Sequence, residues 1–166
     1  MEEEVKGIEQ GSEEIKEKPK TDFKTQGKKN RQKGALFETK VRDDLQKMEW
    51  IVAKWMNTVD FTKDSKGQLV SAKKKFNPFL KALALGTGFP DFICFRSATQ
   101  GDKEIIGVEV KSNGSLDQIE KGMCRWLLDN HIFSRILIAR KKQEGKKIKI
   151  EYINFLDKYK KDFPAQ

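Results

Sequence analysis

The sequence predicts an α/β protein in which a central mixed β-sheet is flanked by helices, in the order α-β-β-β-α-β. Two observations predict this class. Apolar residues recur near helical spacing over 31–49 and 116–130. Short runs that are dense in β-branched, aromatic or alternating apolar residues, and therefore typical of strands, occur at 50–55, 91–95, 104–112, 134–140 and 146–153.

Each predicted helix has an apolar stripe to bury. In the first helix the stripe comprises Leu36, Val41, Leu45 and Met48. The second helix is expected to begin at an N-cap, Ser115. Its stripe comprises Leu116, Ile119, Met123 and Trp126 or Leu127.

The chain divides into a charged tail, residues 1–30, and a single domain, residues 31–166. The tail has 7 Lys against 8 Asp and Glu and very few large apolar residues, so we expect it to be disordered. Within the domain, residues 57–88 combine a turn signal with helix and strand breakers. They are expected to form a hairpin or an irregular excursion.

The charge of the domain favours a polyanionic partner. The whole chain has 34 Lys and Arg against 25 Asp and Glu, a net charge of +9. Residues 31–166 alone hold 27 basic and 17 acidic residues, so the predicted folded part carries +10. A basic domain of this kind suggests a polyanion such as a nucleic acid as the partner, although basic domains without nucleic-acid ligands also exist.

The scarce residue types exclude several chemistries. The two cysteines, Cys94 and Cys124, form no CxxC, and His131 is the sole histidine, so a disulfide framework, a cysteine-based zinc site and a Ser-His-Asp triad are all disfavoured. Neither a membrane-length apolar run nor a secretory signal is evident. We expect an intracellular protein in a reducing environment, with any catalysis carried by carboxylates, lysine and a hard divalent cation.

Three residues form the predicted reactive centre. Alternation along 104–112 puts Glu109 and Lys111 on one face, roughly 7 Å apart, and Gly107 leaves space beside them. If the turn at 99–103 joins antiparallel strands, Asp91 lies at the same end as Glu109. Two adjacent carboxylates suit Mg²⁺ or Mn²⁺, and Lys111 could orient or help deprotonate an attacking water. Alternatively, Glu109 and Lys111 are ordinary residues of a sheet face that is exposed to solvent.

Pro90-Asp91 followed by Glu109-Val110-Lys111 resembles the core motif of the PD-(D/E)XK nuclease superfamily. Glu38, in KGALFETKVRDDL, and the approach GTGFPDFICF are similar to those of archaeal Holliday-junction resolvases. Gln118 resembles the glutamine that opens the following helix in small VRR-type nuclease domains. The resemblance covers roughly residues 31–140 and implies a restriction-endonuclease-like core.

The resemblance implies a role for each matching position. Asp91, Glu109 and the Val110 carbonyl would bind the metal ion, and Lys111 would be the catalytic lysine. Glu38 would hold a metal-bound water or a second ion, and Gln118 would position water or the lysine. Alternatively, Glu38 forms an ion pair with Arg42, four residues later, and Gln118 is merely solvated.

The sequence thus predicts a Mg²⁺-dependent endonuclease of DNA repair or recombination that selects junctions, flaps or other branched DNA. A homodimer is expected if both strands of a junction are cut. Two alternatives stay open: a non-catalytic nucleic-acid-binding module of a larger complex, and a sequence-specific restriction-type nuclease. Candidate DNA contacts, each of which could equally be a solvated charge, are Lys73, Lys74, Lys75, Arg96, Lys121 and Arg125.

Overall fold

The computed structural model describes residues 23–62, 64–73, 75–77, 82–84, 88–97, 103–145 and 147–163. Three helices and nine strands follow one another in these segments. Their bounds, in chain order, are α1 Phe23–Lys47, β1 Ile51–Lys54, β2 Asn57–Asp60, β3 Gln68–Ser71, β4 Lys75–Asn77, β5 Ala82–Ala84, β6 Phe92–Ser97, β7 Lys103–Val110, α2 Gln118–Asp129, β8 Arg135–Glu144, β9 Lys147–Asn154 and α3 Phe155–Lys158.

Five strands form the central sheet, in the order β1-β6-β7-β8-β9. The pairs β1–β6, β6–β7 and β8–β9 are antiparallel, whereas β7 and β8 are parallel and are connected through α2. The predicted class, a mixed sheet flanked by helices, is confirmed. The predicted hairpin between the second and third core strands is β6–β7, with Phe92 opposite Val108.

Helix α1 covers one face of the sheet. Its buried residues, Phe37, Val41 and Leu45, are spaced by four and pack with apolar residues of β6 and β7. Leu36 and Met48, predicted to be buried, are 64% and 42% exposed. Leu36 is one residue, about 100° around the helix, from Phe37, and Met48 follows the last helical residue.

Helix α2 covers the opposite face, and Cys124 and Leu127 are its buried residues. The helix is capped by Asp117, not by Ser115 as predicted. Leu116 is buried although it precedes the helix, and Met123, Trp126 and Leu127 pack in the same apolar cluster, as the predicted stripe requires. Ile119 is the exception and is 69% exposed instead of buried.

The first helix is longer than the sequence predicts. It begins at Phe23, so residues 23–30, which were assigned to the tail, are helical. These eight residues, about two turns, include three lysines and a glutamine, which favour helix, but have no repeated apolar residue to reveal it. The rest of the predicted tail, residues 1–22, lies outside the described residues.

The excursion at 57–88 contains two small antiparallel hairpins. Strands β2 and β3 pair with each other, as do β4 and β5. Val59 of β2 joins the apolar cluster beneath α2, so the first hairpin is part of the core on that face. In the part of the chain that the structure describes, no helix is long and apolar enough to cross a membrane.

Candidate active site

The β6–β7 hairpin brings Asp91 and Glu109 together at one end of the sheet. Asp91 directly precedes β6, and Glu109 is the second-last residue of β7. The Asp91 amide donates to Glu109 Oε2 at 3.1 Å, and the Val110 amide donates to Asp91 Oδ2 at 3.0 Å. Each carboxylate is therefore held by a main-chain amide beside the other acid, which keeps both at the same end of the hairpin.

Burial disfavours the ionised form of both acids. Glu109 is only 6% exposed. Burial and the nearby charge of Asp91 together raise the pKa of Glu109 to about 8. Burial also raises the pKa of Asp91, although the Lys54 ammonium and the Val110 amide act in the opposite direction.

Lys111 follows β7 and contacts two acids. Its Nζ lies 3.4 Å from Glu109 Oε1 and forms a close ion pair with Glu120 Oε1. Burial lowers the pKa of Lys111, but the hydrogen bond to Glu120 and the charge of Glu109 outweigh burial and raise the pKa overall. At neutral pH Lys111 is therefore a protonated donor, and the predicted role in deprotonating water does not fit this arrangement.

Glu120 is a site residue that the sequence reading missed. It stands in the first turn of α2, where its carboxylate accepts from the Asp117 amide at 3.0 Å while its own amide donates to Asp117 at 2.8 Å. This reciprocal capping box aims the Glu120 side chain back toward Lys111. The spacing Asp117-x-x-Glu120 is the signal that could have revealed it.

Lys54, at the end of β1, is the second missed residue. It pairs with Phe92 across the β1–β6 ladder, beside Asp91. Its Nζ lies 2.7 Å from Glu38 Oε2 and 3.3 Å from Asp91 Oδ1. Burial lowers the pKa of Lys54, but its bonds to Glu38 and the charge of Asp91 raise the pKa overall. A lysine in an amphipathic edge strand gives no signal of its own.

Glu38 and Gln118 occupy different positions relative to the acidic pair. Glu38 projects from α1 toward the site, where Lys54 Nζ donates to its carboxylate at 2.7 Å. It does not form the alternative ion pair with Arg42. Gln118 is the exposed first residue of α2, and Glu120, two residues later, contacts the lysine in its place.

The open space that the sequence predicts beside Gly107 is filled by neighbouring side chains. A Cβ on Gly107 would lie 2.8 Å from Pro90 Cγ and 3.2 Å from the Phe133 ring. The Pro90 ring therefore fills the position that the missing side chain leaves. This close packing fixes the residue immediately before Asp91 against β7.

The predicted DNA-contacting residues are scattered, and three of them already pair with acids. Arg96 lies 3.1 Å from Glu104 and stacks on Trp50, Lys121 lies 2.7 Å from Asp162, and Arg125 lies 2.8 Å from Asp129. Such exposed pairs contribute little free energy and can be exchanged. Lys73 is exposed, Lys75 lies in β4, and Lys74 lies outside the described residues.

The donor set suits a small hard cation, although it is sparse. Among the residues that the structure describes, no cluster of three or more His, Cys, Asp or Glu could hold a metal ion. The pair of Asp91 and Glu109 nevertheless offers carboxylate oxygens of two adjacent acids, and burial raises the pKa of both. Mg²⁺ commonly takes one or two carboxylates and keeps several waters, so the pair fits this ion.

No family model, curated protein or solved structure matches the chain. Its own side chains define the site as two adjoining carboxylates between two ammonium groups, Lys54 on one side and Lys111 on the other. Such an arrangement can bind a divalent cation and the negative charge of a phosphate ester.

Proposed function

We propose that the chain is a Mg²⁺- or Mn²⁺-dependent endonuclease that hydrolyses phosphodiester bonds in DNA, selecting junctions, flaps or other branched structures. One observation carries the proposal. Glu109 is buried beside Asp91, with its pKa raised to about 8, and Lys111 lies next to it. A strongly perturbed acid with a specific charged neighbour is typical of a functional site.

The carboxylates of Asp91 and Glu109, with the Val110 carbonyl, would hold the divalent ion. When bound, the ion would polarise a phosphoryl oxygen and make water a better nucleophile. Glu38, whose carboxylate is held by Lys54, would have a supporting role beside the ion.

Lys111 supplies positive charge for the reaction. As an ammonium donor it can hydrogen-bond the water or the phosphoryl oxygens and stabilise the charge that develops in the transition state. Glu120 fixes the direction of this ammonium, and the Asp117 cap fixes Glu120. The lysine is thus positioned before any substrate arrives, so little reorganisation is needed during the reaction.

Substrate binding would depend mainly on charge. Residues 31–166 carry +10, and phosphate contacts give affinity without sequence information. Selection would then come from DNA shape, and cutting both strands of a junction would call for a homodimer. The free, buried cysteines Cys94 and Cys124 fit a reducing, intracellular setting.

Incubation of labelled junction, flap and linear duplex with the protein in Mg²⁺ or Mn²⁺ tests the proposal. Cleavage is expected with the wild type and must disappear on addition of EDTA and in Asp91→Ala and Glu109→Ala. Lys142→Ala changes an exposed residue that is distant in sequence from the site. Purified in the same way, it is the matched control and should cut normally. Undiminished cutting by the Asp91 and Glu109 variants would refute the assignment.

A nucleic-acid-binding module without turnover is the second candidate. The ammonium groups of Lys54 and Lys111 already contact the two acids, and this partial neutralisation favours a site that needs no metal ion. Calorimetric titration with Mn²⁺ separates the candidates. Heat that disappears in Asp91→Ala supports the nuclease, whereas DNA binding without any metal-dependent heat supports the module.

A further inference from the structure

Arg42 is a half-buried cation that the proposed reaction does not use. It lies on α1, one turn after Glu38, and its guanidinium carbon sits 5.2 Å from the centre of the Phe92 ring. The spacing suggested an ion pair with Glu38, but Glu38 binds Lys54 at 2.7 Å. Among the residues that the structure describes, Arg42 has no carboxylate partner, so its hydrogen-bond donors are available to a ligand.

The guanidinium borders a small cavity of about 260 Å³ between α1 and the sheet. Lys54 also borders this cavity and lies 4.8 Å from the centre of the same Phe92 ring. The cavity is smaller than those that usually hold drug-sized ligands. Its lining residues are Ala35, Glu38, Thr39, Arg42, Lys54 and Phe92.

The charges of the cavity favour a small anion. Lys54 is already bound by two carboxylates, Glu38 and Asp91, so Arg42 is the cation of the cavity that remains to attract an anion. The guanidinium carbon lies 5.2 Å from the centre of the Phe92 ring, and no described carboxylate occupies its donors. Arginine in that state is well suited to bind phosphate through two parallel hydrogen bonds.

We infer that this cavity binds one backbone phosphate of the DNA, next to the phosphate that is cut, with Arg42 as its positioning residue. The inference rests on the proposed function, because Lys54 lines the cavity and also contacts Asp91 of the acidic pair. A phosphate held there would place the neighbouring phosphate beside Asp91 and Glu109. Arg42 would fix the register of the strand and would not touch the reacting atoms.

Arg42→Met tests the inference, because methionine keeps an aliphatic stem over Phe92 while removing the charge. The matched control is Lys40→Met, an exposed lysine on the same helix that does not line this cavity. Binding of a fluorescent flap DNA to the full chain is measured in EDTA, where no cleavage occurs, from 50 to 300 mM NaCl. Thermal unfolding of each variant shows whether it is folded.

Loss of one phosphate contact lowers the slope of log K against log [NaCl] by about 0.9. For Arg42→Met we expect this change, with roughly fivefold weaker binding at 0.15 M salt. Lys40→Met should change the slope by less than half as much. In Mg²⁺, Arg42→Met should also cut at several adjacent positions instead of one, because the register of the DNA strand is no longer fixed.

Two outcomes overturn the inference, and they differ in what else they affect. If the wild type binds DNA and Arg42→Met keeps the same slope, or changes it no more than Lys40→Met, the phosphate site is wrong while the nuclease proposal stands. If the wild type neither binds nor cuts DNA, the proposed function fails as well. Should Arg42→Met unfold, Arg42→Lys gives the answer: it should keep the slope but bind more weakly.

Discussion

Two glutamates of the same strand, Glu104 and Glu109, have opposite surroundings. Glu104, near the start of β7, lies 2.6 Å from Arg135 and 3.1 Å from Arg96 and is partly exposed. Glu109, near the end of the strand, is buried beside another acid, and its pKa rises to about 8. Glu104 is a surface acid neutralised by two arginines, whereas Glu109 is a buried acid whose ionisation is disfavoured although Lys111 lies 3.4 Å away. Burial and the neighbouring charges, more than the residue type, therefore distinguish the two glutamates.

Exchanging each glutamate for glutamine should give the largest difference. We expect Glu109→Gln to lower the rate of DNA cleavage by more than roughly a hundredfold, because changing even an outer residue of a metal site commonly costs 10–100-fold. Glu104→Gln should stay within about twofold of wild type, since it lies at the other end of the strand. Single-turnover cleavage at saturating Mg²⁺ measures both. Equal losses in the two variants would contradict the distinction.

Glu104 and Glu109 should also differ in how far they make the free energy of unfolding depend on pH. The folded-state pKa of Glu109, about 8, exceeds the ordinary value of 4.5. Between these values the folded state binds more protons than the unfolded state, so the metal-free protein loses stability as pH rises. The loss should approach ~1.4 kcal/mol per pH unit within the window.

Urea unfolding in EDTA at pH 5, 6, 7 and 8 measures this dependence. Glu109→Gln should have a flatter profile than wild type, and Glu104→Gln should keep the wild-type slope. Mg²⁺ should restore stability most strongly at pH 8, where Glu109 is ionised and able to bind it. A wild-type profile that rises from pH 5 to 8 would contradict the assigned charge state.

Alanine substitutions at Gly107, which is closely packed, and at Gly122, which is not, should change the free energy of unfolding in opposite directions. In Gly107→Ala the new Cβ would meet the rigid Pro90 ring at 2.8 Å, and we expect a loss of about 1–3 kcal/mol in the free energy of unfolding. In Gly122→Ala, on α2, nothing lies within 4 Å. This change should stabilise by about 0.5–1 kcal/mol. Denaturant midpoints of the two proteins provide the measurement.

The smallest expected effect concerns Lys54. Its ammonium would compete with the proposed ion for Asp91 Oδ1, so Lys54→Met should tighten Mn²⁺ binding roughly fivefold. This factor corresponds to about 1 kcal/mol, the free energy of a partly exposed ion pair. Arg96→Met, which removes a partner of Glu104, should leave Mn²⁺ affinity unchanged. Isothermal titration compares them. Weaker Mn²⁺ binding in Lys54→Met would show that the lysine supports the ion.

The sequence predicts the central part of this fold because its signals are local. Alternation along β7 and the short turn before it are enough to pair that strand with β6 and to bring Asp91 beside Glu109. The apolar character of β8 likewise marks a strand buried on both faces. These elements depend on patterns within about ten residues, which single-sequence reading recognises well.

The site residues that were missed depend on tertiary geometry. Lys54 enters the site only because β1 pairs with β6, a contact about forty residues distant in sequence. Glu120 was missed because the resemblance singled out Gln118, two residues earlier. The helix start was also assigned to Ser115 instead of Asp117, so the capping box of Asp117 and Glu120 was not recognised.

The reciprocal bonds between the acids and the opposite backbone have a consequence for folding. The Asp91 amide holds Glu109, and the Val110 amide holds Asp91, so both bonds exist only in the native alignment of the hairpin. A slip of the two strands would separate the carboxylates by several ångströms. A luminescent lanthanide that needs both acids would therefore emit only from correctly aligned molecules, and its signal during refolding would report when β6 and β7 find each other.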